Sequence, residues 1–437
     1  MVRSIFIAIS GFLFISCQGF GQDTIPLSRQ DALQKASESN LQIKIAQKNF
    51  ESAQADYRQS NALFLPDISV SHTGIFTTNP LMAFGSKLNQ ERLTASDFNP
   101  ELLNNPDKTE NFASRIDVLQ PIFNLDGLLE RQAAKAKSEA YALQTERTRE
   151  YLVLDINKAY MQLQVAYETA KVLENSIIAT KANLKLTENY YNQGMLQKSD
   201  LLAMQVRMTE IENQLLYARS SVRNTSDYLS FLFNEEGGAK VYKPSEELTE
   251  NVVSDKASAS FSESRKDIQA MEKSLEAHKK LMHSSKMRFL PRLNAFGSYE
   301  LYDKEIFNAS ANGYTVGAQL SWNLFDGYKS IGKKQKTKAD YKKSELELDQ
   351  YKAQSRLEFD KTNRQLNDAE NKLNLSKSAF EQSKEAYRIV KNRFDQGLEK
   401  SSDLLITETK MLQKELEQLQ AIFEYSYTRQ YLQFITN

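Results

Sequence analysis

The sequence predicts a mainly α-helical fold that also carries a transmembrane β-barrel, assembled from one structural unit used twice. Three observations predict it. First, residues 189–202, N-Y-Y-N-Q-G-M-L-Q-K-S-D-L-L, return as residues 392–405, N-R-F-D-Q-G-L-E-K-S-S-D-L-L. Gly194 thus matches Gly397, Ser199 matches Ser402 and Asp200 matches Asp403. Second, each copy sits between a long heptad-patterned segment and a shorter one, the arrangement of a helical hairpin. Third, each long segment is preceded by two stretches of about ten residues in which apolar and polar side chains alternate, the length and period of an outer-membrane barrel strand. A repeat of whole elements constrains the fold more than any element taken singly.

Composition agrees. The 437 residues carry 56 basic and 56 acidic side chains, a formal net charge of zero, so nothing global attracts nucleic acid. Only 15 Gly and 8 Pro are present, which suits long, wetted helices better than a compact α/β enzyme. One Cys excludes an internal disulfide. His72, His278 and His283 have no metal-ligand spacing, and the last two fall on different helix faces. No nucleophile–base set and no Gly-rich cofactor loop stand out, so neither catalysis nor a cofactor is expected.

The N-terminus is a targeting segment. Arg3 supplies the charge, residues 5–15 the apolar run and Gly19-Phe20-Gly21 the small-x-small cleavage site, giving a signal peptide over residues 1–21. Phe14-Ile15-Ser16-Cys17 also resembles a lipobox, in which Cys17 would be cleaved and acylated. Either way the mature chain leaves the cytoplasm. No later run of about 18 apolar residues exists, so no membrane-spanning helix is expected.

The first unit covers residues 22–233. Residues 28–63 read as one helix, with Ser28 as N-cap, Asp31 in the first turn, and Ala32, Leu33, Ala36, Ile43, Ala46, Phe50 and Ala53 at helical spacing. Pro66 closes it. Residues 67–76 switch to period two, with Ile68, Val70, His72 and Gly74 on one face and Asp67, Ser69, Ser71 and Thr73 on the other. Residues 77–111, rich in Asn, Pro and Ser, read as a long loop. Residues 112–123 form a second strand in which Ile116, Val118 and Ile122 alternate with Arg115, Asp117 and Leu119.

Residues 126–191 contain no Pro or Gly after Gly127. Leu152, Ile156, Ala159, Leu163, Ala166, Ala170, Leu173, Ile177, Thr180, Leu184, Thr187 and Tyr191 step by four and three, a heptad seam. About 65 residues at 1.5 Å each make a rod of about 100 Å. Gly194 gives a left-handed helix stop, and Ser199-Asp200 can cap a new helix, so residues 194–200 are the tip of a hairpin. Leu201, Met204, Met208, Ile211, Leu215, Ala218, Val222, Thr225 and Leu229 carry the seam back.

Residues 234–262, with Gly237-Gly238 and Pro244, read as a loop-rich connector. The second unit, residues 263–437, repeats the order. A helix over 264–289 is closed by Phe289-Leu290-Pro291, as Phe64-Leu65-Pro66 closes the first. Strands follow at 292–301 and 314–324. Phe325-Asp326-Gly327 opens the second long helix as Leu125-Asp126-Gly127 opens the first. Its seam includes Leu366, Ala369, Leu373, Ser376, Phe380, Ser383, Tyr387, Val390 and Phe394. The tip at 397–403 leads to a return helix with Leu405, Leu412, Leu416, Leu419 and Phe423.

The apolar strand faces fit lipid, and Tyr299, Tyr302, Tyr314 and Trp322 fit an interfacial belt. A soluble sheet with one face on a core is the alternative, but no spare apolar segment is left to cover that face. Four strands cannot close a barrel, about eight being the minimum, so the chain must oligomerise. Small seam residues such as Ala159, Ala166 and Ala170 suit close helix packing. The narrow, partly polar stripes suit a hollow ring with a wet lumen.

Taken together, these residues resemble the TolC-like outer-membrane efflux protein family, the outer membrane factors. The carriers are the duplicated Gln-Gly-x4-Ser-Asp-Leu-Leu tips, the strand ends Gln120-Pro121-Ile122-Phe123 and Ser321-Trp322-Asn323-Leu324-Phe325-Asp326-Gly327, and the duplicated order of elements. The likeness covers essentially the whole mature chain. It implies a homotrimer with a twelve-stranded barrel in the outer membrane of a Gram-negative bacterium and a twelve-helix α-barrel in the periplasm. Such a channel is a passive exit duct of a tripartite efflux or type I secretion system, surrounded by outer-membrane lipid. Its tips dock a periplasmic adaptor (membrane fusion) protein and an inner-membrane pump, and it binds no nucleic acid. By matching position, Gly194, Ser199, Asp200 and Leu201, with Gly397, Ser402, Asp403 and Leu404, would lie at the periplasmic entrance and docking surface. Some relatives close that entrance with two Asp three residues apart in the second tip; here Asp403 matches but position 406 is Ile406. The competing class is a structural coiled-coil envelope protein or a periplasmic adaptor without a pore. Adaptors lack paired amphipathic strands and need compact β domains, for which no segment remains.

Two further motifs need weighing. Gly327-Tyr328-Lys329-Ser330-Ile331-Gly332-Lys333 fits most of a phosphate-binding loop, but the next residue is Lys334 rather than the Ser or Thr that would hold Mg²⁺. Lys333, Lys334, Lys336, Lys338, Lys342 and Lys343 form a basic run. It reads as a solvated helix face, or as a contact with anionic lipid or a partner near the barrel base.

Overall fold

A computed structural model describes residues 24–238, 240–249 and 260–437. The targeting segment and Cys17 lie outside the described residues. Strand β1 (Thr24–Leu27) leads into helix α1 (Arg29–Ser39). Ser28 caps α1, its Oγ accepting the Asp31 N–H at 3.0 Å. The single helix expected over 28–63 is broken at Asn40, whose backbone is extended (φ −60°, ψ 129°). Asn40 is buried and its Nδ2 donates to the Leu232 carbonyl at 2.9 Å. Ser and Asn side chains compete with the helical ladder, and here the long-range bond wins. Helix α2 (Leu41–Gln59) follows and ends in a 3₁₀ turn, Ser60–Leu63.

After strand β2 (Asp67–Thr77), the long loop expected over 77–111 contains two helices, α3 (Pro80–Asn89) and α4 (Pro100–Asn104). Both start at an Asn-Pro pair. Asn79 Oδ1 accepts the Met82 N–H at 3.2 Å and Asn99 Oδ1 accepts the Glu101 N–H at 3.0 Å. Proline at the first helical position lacks only a donor that would have no partner anyway. Gln90, after α3, is buried and its amide donates to the Glu110 and Asp303 carbonyls and to Asn111 Oδ1.

Strand β3 (Thr109–Phe123) starts earlier than expected. Strand β5 (Arg292–Asp303) runs further, and β6 (Ala311–Ser321) ends before Trp322. The four form one antiparallel sheet in the order β2-β3-β5-β6, whose edges β2 and β6 have no further strand among the described residues. Register aligns the faces. Ile68, Val118, Gly297 and Val316 form one row, and Val70, Ile116, Tyr299 and Tyr314 the next. This apolar face is uncovered: Val70 is 74%, Val316 73% and Tyr314 77% exposed. The opposite face is polar, with Ser69, Asp117, Ser298 and Thr315 in one row. There Arg115 pairs with Asp117 at 2.8 Å and Glu300 at 3.0 Å.

The connector is not wholly loop. Its β4 (Val241–Pro244) pairs in parallel with β1, with Thr24 opposite Val241. Too short to show a period, neither strand was legible in the sequence. The remaining helices are α5 (Leu125–Asn192), α6 (Lys198–Leu232), α7 (Lys266–Met287), α8 (Lys329–Asp395) and α9 (Ser401–Thr436).

The α5 seam holds from Leu152 to Leu173. Beyond that the expected Thr180 and Thr187 are also fully buried, but Ser176 and Asn183 are buried in place of Ile177 and Leu184, which are half-buried, and Tyr191 is exposed. On α6 the buried residues are Arg207 and Ser226 rather than Met208 and Thr225, and on α9 Leu404 takes the seam position expected for Leu405. A straight helix of 3.6 residues per turn drifts against a 3.5 repeat, which moves the buried line by one residue. No helix among the described residues is long and apolar enough to cross a membrane. The chain divides into two compact units, one holding the four-stranded sheet and α7, the other the two-stranded sheet and both hairpin tips.

Candidate functional site: the paired helix tips

The two tips share one backbone device. At the end of α5, Gly194 has φ +73°, its N–H donates to the Tyr191 carbonyl at 2.9 Å and the Met195 N–H to the Tyr190 carbonyl at 2.9 Å. At the end of α8, Gly397 has φ +72°, its N–H donates to Phe394 and the Leu398 N–H to Arg393, again at 2.9 Å. Both are Schellman stops, which need a residue without Cβ strain in the left-handed region. A Cβ at either glycine would meet nothing within 4 Å, so only the backbone demands glycine.

Asp200 and Asp403 are not N-caps. Helix α6 starts at Lys198 and α9 at Ser401, which puts both aspartates in the third helical position. Asp200 closes a capping box, Oδ2 accepting the Gln197 N–H at 3.1 Å. Its other oxygen, Oδ1, accepts the Ser401 hydroxyl at 2.8 Å, which ties the first tip to the second. Ser401 is 1% exposed. The serines matched by repeat, Ser199 and Ser402, are exposed instead. Ser199 Oγ lies 3.4 Å from Gln197 Oε1.

Behind the tips lies a small core. Leu404, Met204 and Phe394 are fully buried, with Tyr190, Tyr387, Val390 and Leu405 packed against them. The Tyr190 ring meets Phe394 edge-on, 5.9 Å between centroids at 71°. Leu404 is thus a core residue, while Leu201 is half-buried. Deeper along α9, Glu408 is 1% exposed. Its carboxylate accepts the Thr180 hydroxyl and, at 3.0 Å, the Asn183 amide, which also reaches Tyr387 Oη at 3.3 Å. Burial pushes the Tyr387 phenol up.

Charges at the tips are mostly paired. Lys391 meets Asp395, and Arg393 meets Glu399 at 2.8 Å, a hydrogen bond that holds the Glu399 carboxyl below its ordinary range. Asp200 and Asp403 have no basic partner among the described residues. The tips therefore present two carboxylates in the first turns of α6 and α9. The described residues hold no cluster of three or more His, Cys, Asp or Glu able to ligate a metal.

The repeat located Gly194, Gly397, Asp200 and Asp403 but missed Ser401 and Glu408. Glu408 had a signal: Leu404, Glu408 and Leu412 are four apart, which puts a charge on a seam. Ser401 had none, because its repeat-mate is Lys198.

Comparison with solved structures places the fold. The chain superposes on CusC, a protein described with transmembrane channel formation, with a TM-score of 0.81 at 13% identity, covering 95% of this chain and 93% of that one. It matches the outer membrane protein VceC of Vibrio cholerae with a TM-score of 0.77 at 15% identity, covering 94% and 96%. It matches the open-state outer membrane channel MtrE of Neisseria gonorrhoeae with a TM-score of 0.78 at 15% identity, covering 93% and 88%. No match was found among curated protein sequences. Residues 32–235 and 259–437 match the family model described as outer membrane efflux protein. The chain belongs to the outer membrane efflux protein family, whose fold is that of a channel in the outer membrane of Gram-negative bacteria with a helical extension into the periplasm.

Proposed function

We propose that this outer-membrane efflux channel works as a passive exit duct, a homotrimer whose tips dock a periplasmic adaptor and, through it, an inner-membrane pump of a tripartite efflux or type I secretion system. One observation carries the trimer: an antiparallel sheet of four strands with two open edges and an uncovered apolar face. Open edges invite pairing, and in lipid every backbone group must be paired, which only a closed barrel achieves. Three copies supply twelve strands around a polar lumen bearing Arg115, Asp117 and Glu300. Transport energy comes from the pump, and this chain performs no chemistry.

In this reading the structural repeats are residues 22–233 and 263–437, joined by 234–262. Gly194, Ser199, Asp200 and Leu201, with Gly397, Ser402, Asp403 and Leu404, form or support the periplasmic entrance and docking surface. Chemical cross-linking in mild detergent should run to a trimer and no further, and light scattering should give three times the chain mass. A monomer, or release from membranes by high salt without detergent, overturns the duct. Processing falls after Gly21, so Cys17→Ser should leave membrane location unchanged. A diacylglycerol adduct on Cys17 by mass spectrometry would refute that cleavage.

A further inference from the structure

The two repeats enter their long helices at equivalent points, marked by Asp126-Gly127 and Asp326-Gly327, yet differ sharply in charge just beyond. Residues 129–143 hold Arg131, Lys135 and Lys137 against Glu130 and Glu139. Residues 329–343 hold seven lysines against Asp340 alone. The fold needs no such charge, since the first repeat builds the same junction without it. Lys342 and Lys343 pair along the helix with Glu345 and Glu347, whereas Lys333, Lys336 and Lys338 make no ion pair with any described residue. All seven are exposed.

The run adjoins the apolar sheet face. Trp322, 60% exposed, donates its indole N–H to the Phe289 carbonyl at 3.0 Å, and Lys334 Nζ lies 5.9 Å from the Phe289 ring centroid. Leu324, Phe325 and Tyr328 are exposed beside them. At 100° per residue Lys334, Lys338 and Lys342 share one line of α8, so the line touching Phe289 continues away from the sheet. Apolar and aromatic side chains followed by unpaired lysines match the change from acyl chains to headgroups.

We propose that this junction binds phospholipid, the lysines of α8 holding the anionic phosphate headgroups of the periplasm-facing leaflet while Trp322, Leu324 and Phe325 sit at the acyl boundary. The inference rests on the barrel reading above. It predicts that anionic phospholipid is enriched around the second repeat's junction and not around the first.

Trp322 is the only tryptophan, so its fluorescence reports this site alone. The full-length protein is reconstituted in phosphatidylethanolamine vesicles containing brominated phosphatidylglycerol or, in parallel, brominated phosphatidylcholine. At low salt the anionic quencher should be favoured about fivefold, the preference that one surface lysine confers. High salt should weaken it, and K333Q/K334Q/K336Q/K338Q should bring the ratio close to one with the trimer intact. Equal quenching by both lipids in the wild-type protein overturns the proposal. So does a variant that keeps the preference, or one that fails to assemble, which would make the lysines a subunit contact. Quenching by neither lipid overturns the barrel placement itself, and this proposal with it.

Discussion

Removing the Ser401 hydroxyl takes away one of the side-chain bonds between the two tips and leaves the other, from Tyr190 Oη to the Asp395 carbonyl at 3.2 Å, in place. A hydrogen bond to a carboxylate contributes about 1.5–3 kcal/mol. Asp200 is half-buried, so the lower figure applies, about a tenfold change in the equilibrium between joined and parted tips. If three subunits open together, three such bonds act on one equilibrium and contribute about 4–5 kcal/mol. Ser401→Ala should therefore raise the open probability of the channel in planar bilayers while leaving its ion selectivity alone, because no charge is removed. Asp200→Asn keeps an acceptor for Ser401 and removes the charge, so it should lower sensitivity to divalent cations with a smaller effect on opening. Asp403→Ala should likewise reduce that sensitivity. Asp200→Ala loses the bond, the charge and a capping box worth about 1 kcal/mol, and should show both effects in an assembled trimer. Ser401→Ala channels that open as rarely as wild type would refute the bond as a latch. Aspartate variants that respond normally to cations would reduce both residues to helix-start anchors.

Three further perturbations follow from the packing. Gly397→Val forces a β-branched residue to φ near +72°; the strain of at least about 1 kcal/mol should abolish export in a cell-based assay while leaving trimers on native gels. Glu408→Ala strands the Thr180 hydroxyl and the Asn183 amide in a buried site, and should lower unfolding stability by about 3 kcal/mol by denaturant melting. Glu408→Gln, which still accepts one of those bonds, should lose less. Burial alone would raise the Glu235 pKa, but bonds from Lys35, Tyr242 and Lys240 outweigh it and hold it at about 2 against an ordinary 4.5. A depressed carboxyl stabilises the fold above its unfolded pKa and loses that contribution as pH falls through its folded one. The stability gap between wild type and Glu235→Gln, about 1–2 kcal/mol after allowance for partial exposure, should therefore close between about pH 4.5 and pH 2.

The elements legible in the sequence were those with a period and a repeat. Heptads gave α5, α6, α8 and α9, alternation gave the four long strands, and the duplicated glycines gave both helix stops. What stayed hidden depends on contacts distant in sequence. Asn40 breaks a helix because the Leu232 carbonyl is there to receive its amide. Strands β1 and β4 exist because each is the other's partner. The Asn-Pro starts of α3 and α4 are local and were open to reading as caps, but Asn and Pro also mark loops, and helices so short leave no apolar stripe to decide. At the tips the repeat fixed where the glycines and aspartates lie, while Ser401 emerged only from the pairing of two hairpins.

That pairing is not reciprocal, and the asymmetry bears on how the tips part. Ser401 opens α9 where Lys198 opens α6. Were the repeats symmetric in chemistry as they are in backbone, a residue at position 198 would bond Asp403 as Ser401 bonds Asp200. Lys198 forms no ion pair with a described residue, and Asp403 has no basic partner among them. The base of the second long helix shows the same divergence. Asp126 is buried and joined to Arg292 and, at 3.7 Å, Arg288, whereas Asp326 turns back on its own helix to accept the Ser330 N–H and hydroxyl. At both ends of the long helices, then, equivalent aspartates of the two repeats have different partners. At the tips Asp200 is tied across the hairpins to Ser401 while Asp403 has no such bond to the first tip, so Ser401→Ala should loosen the joint through Asp200 alone.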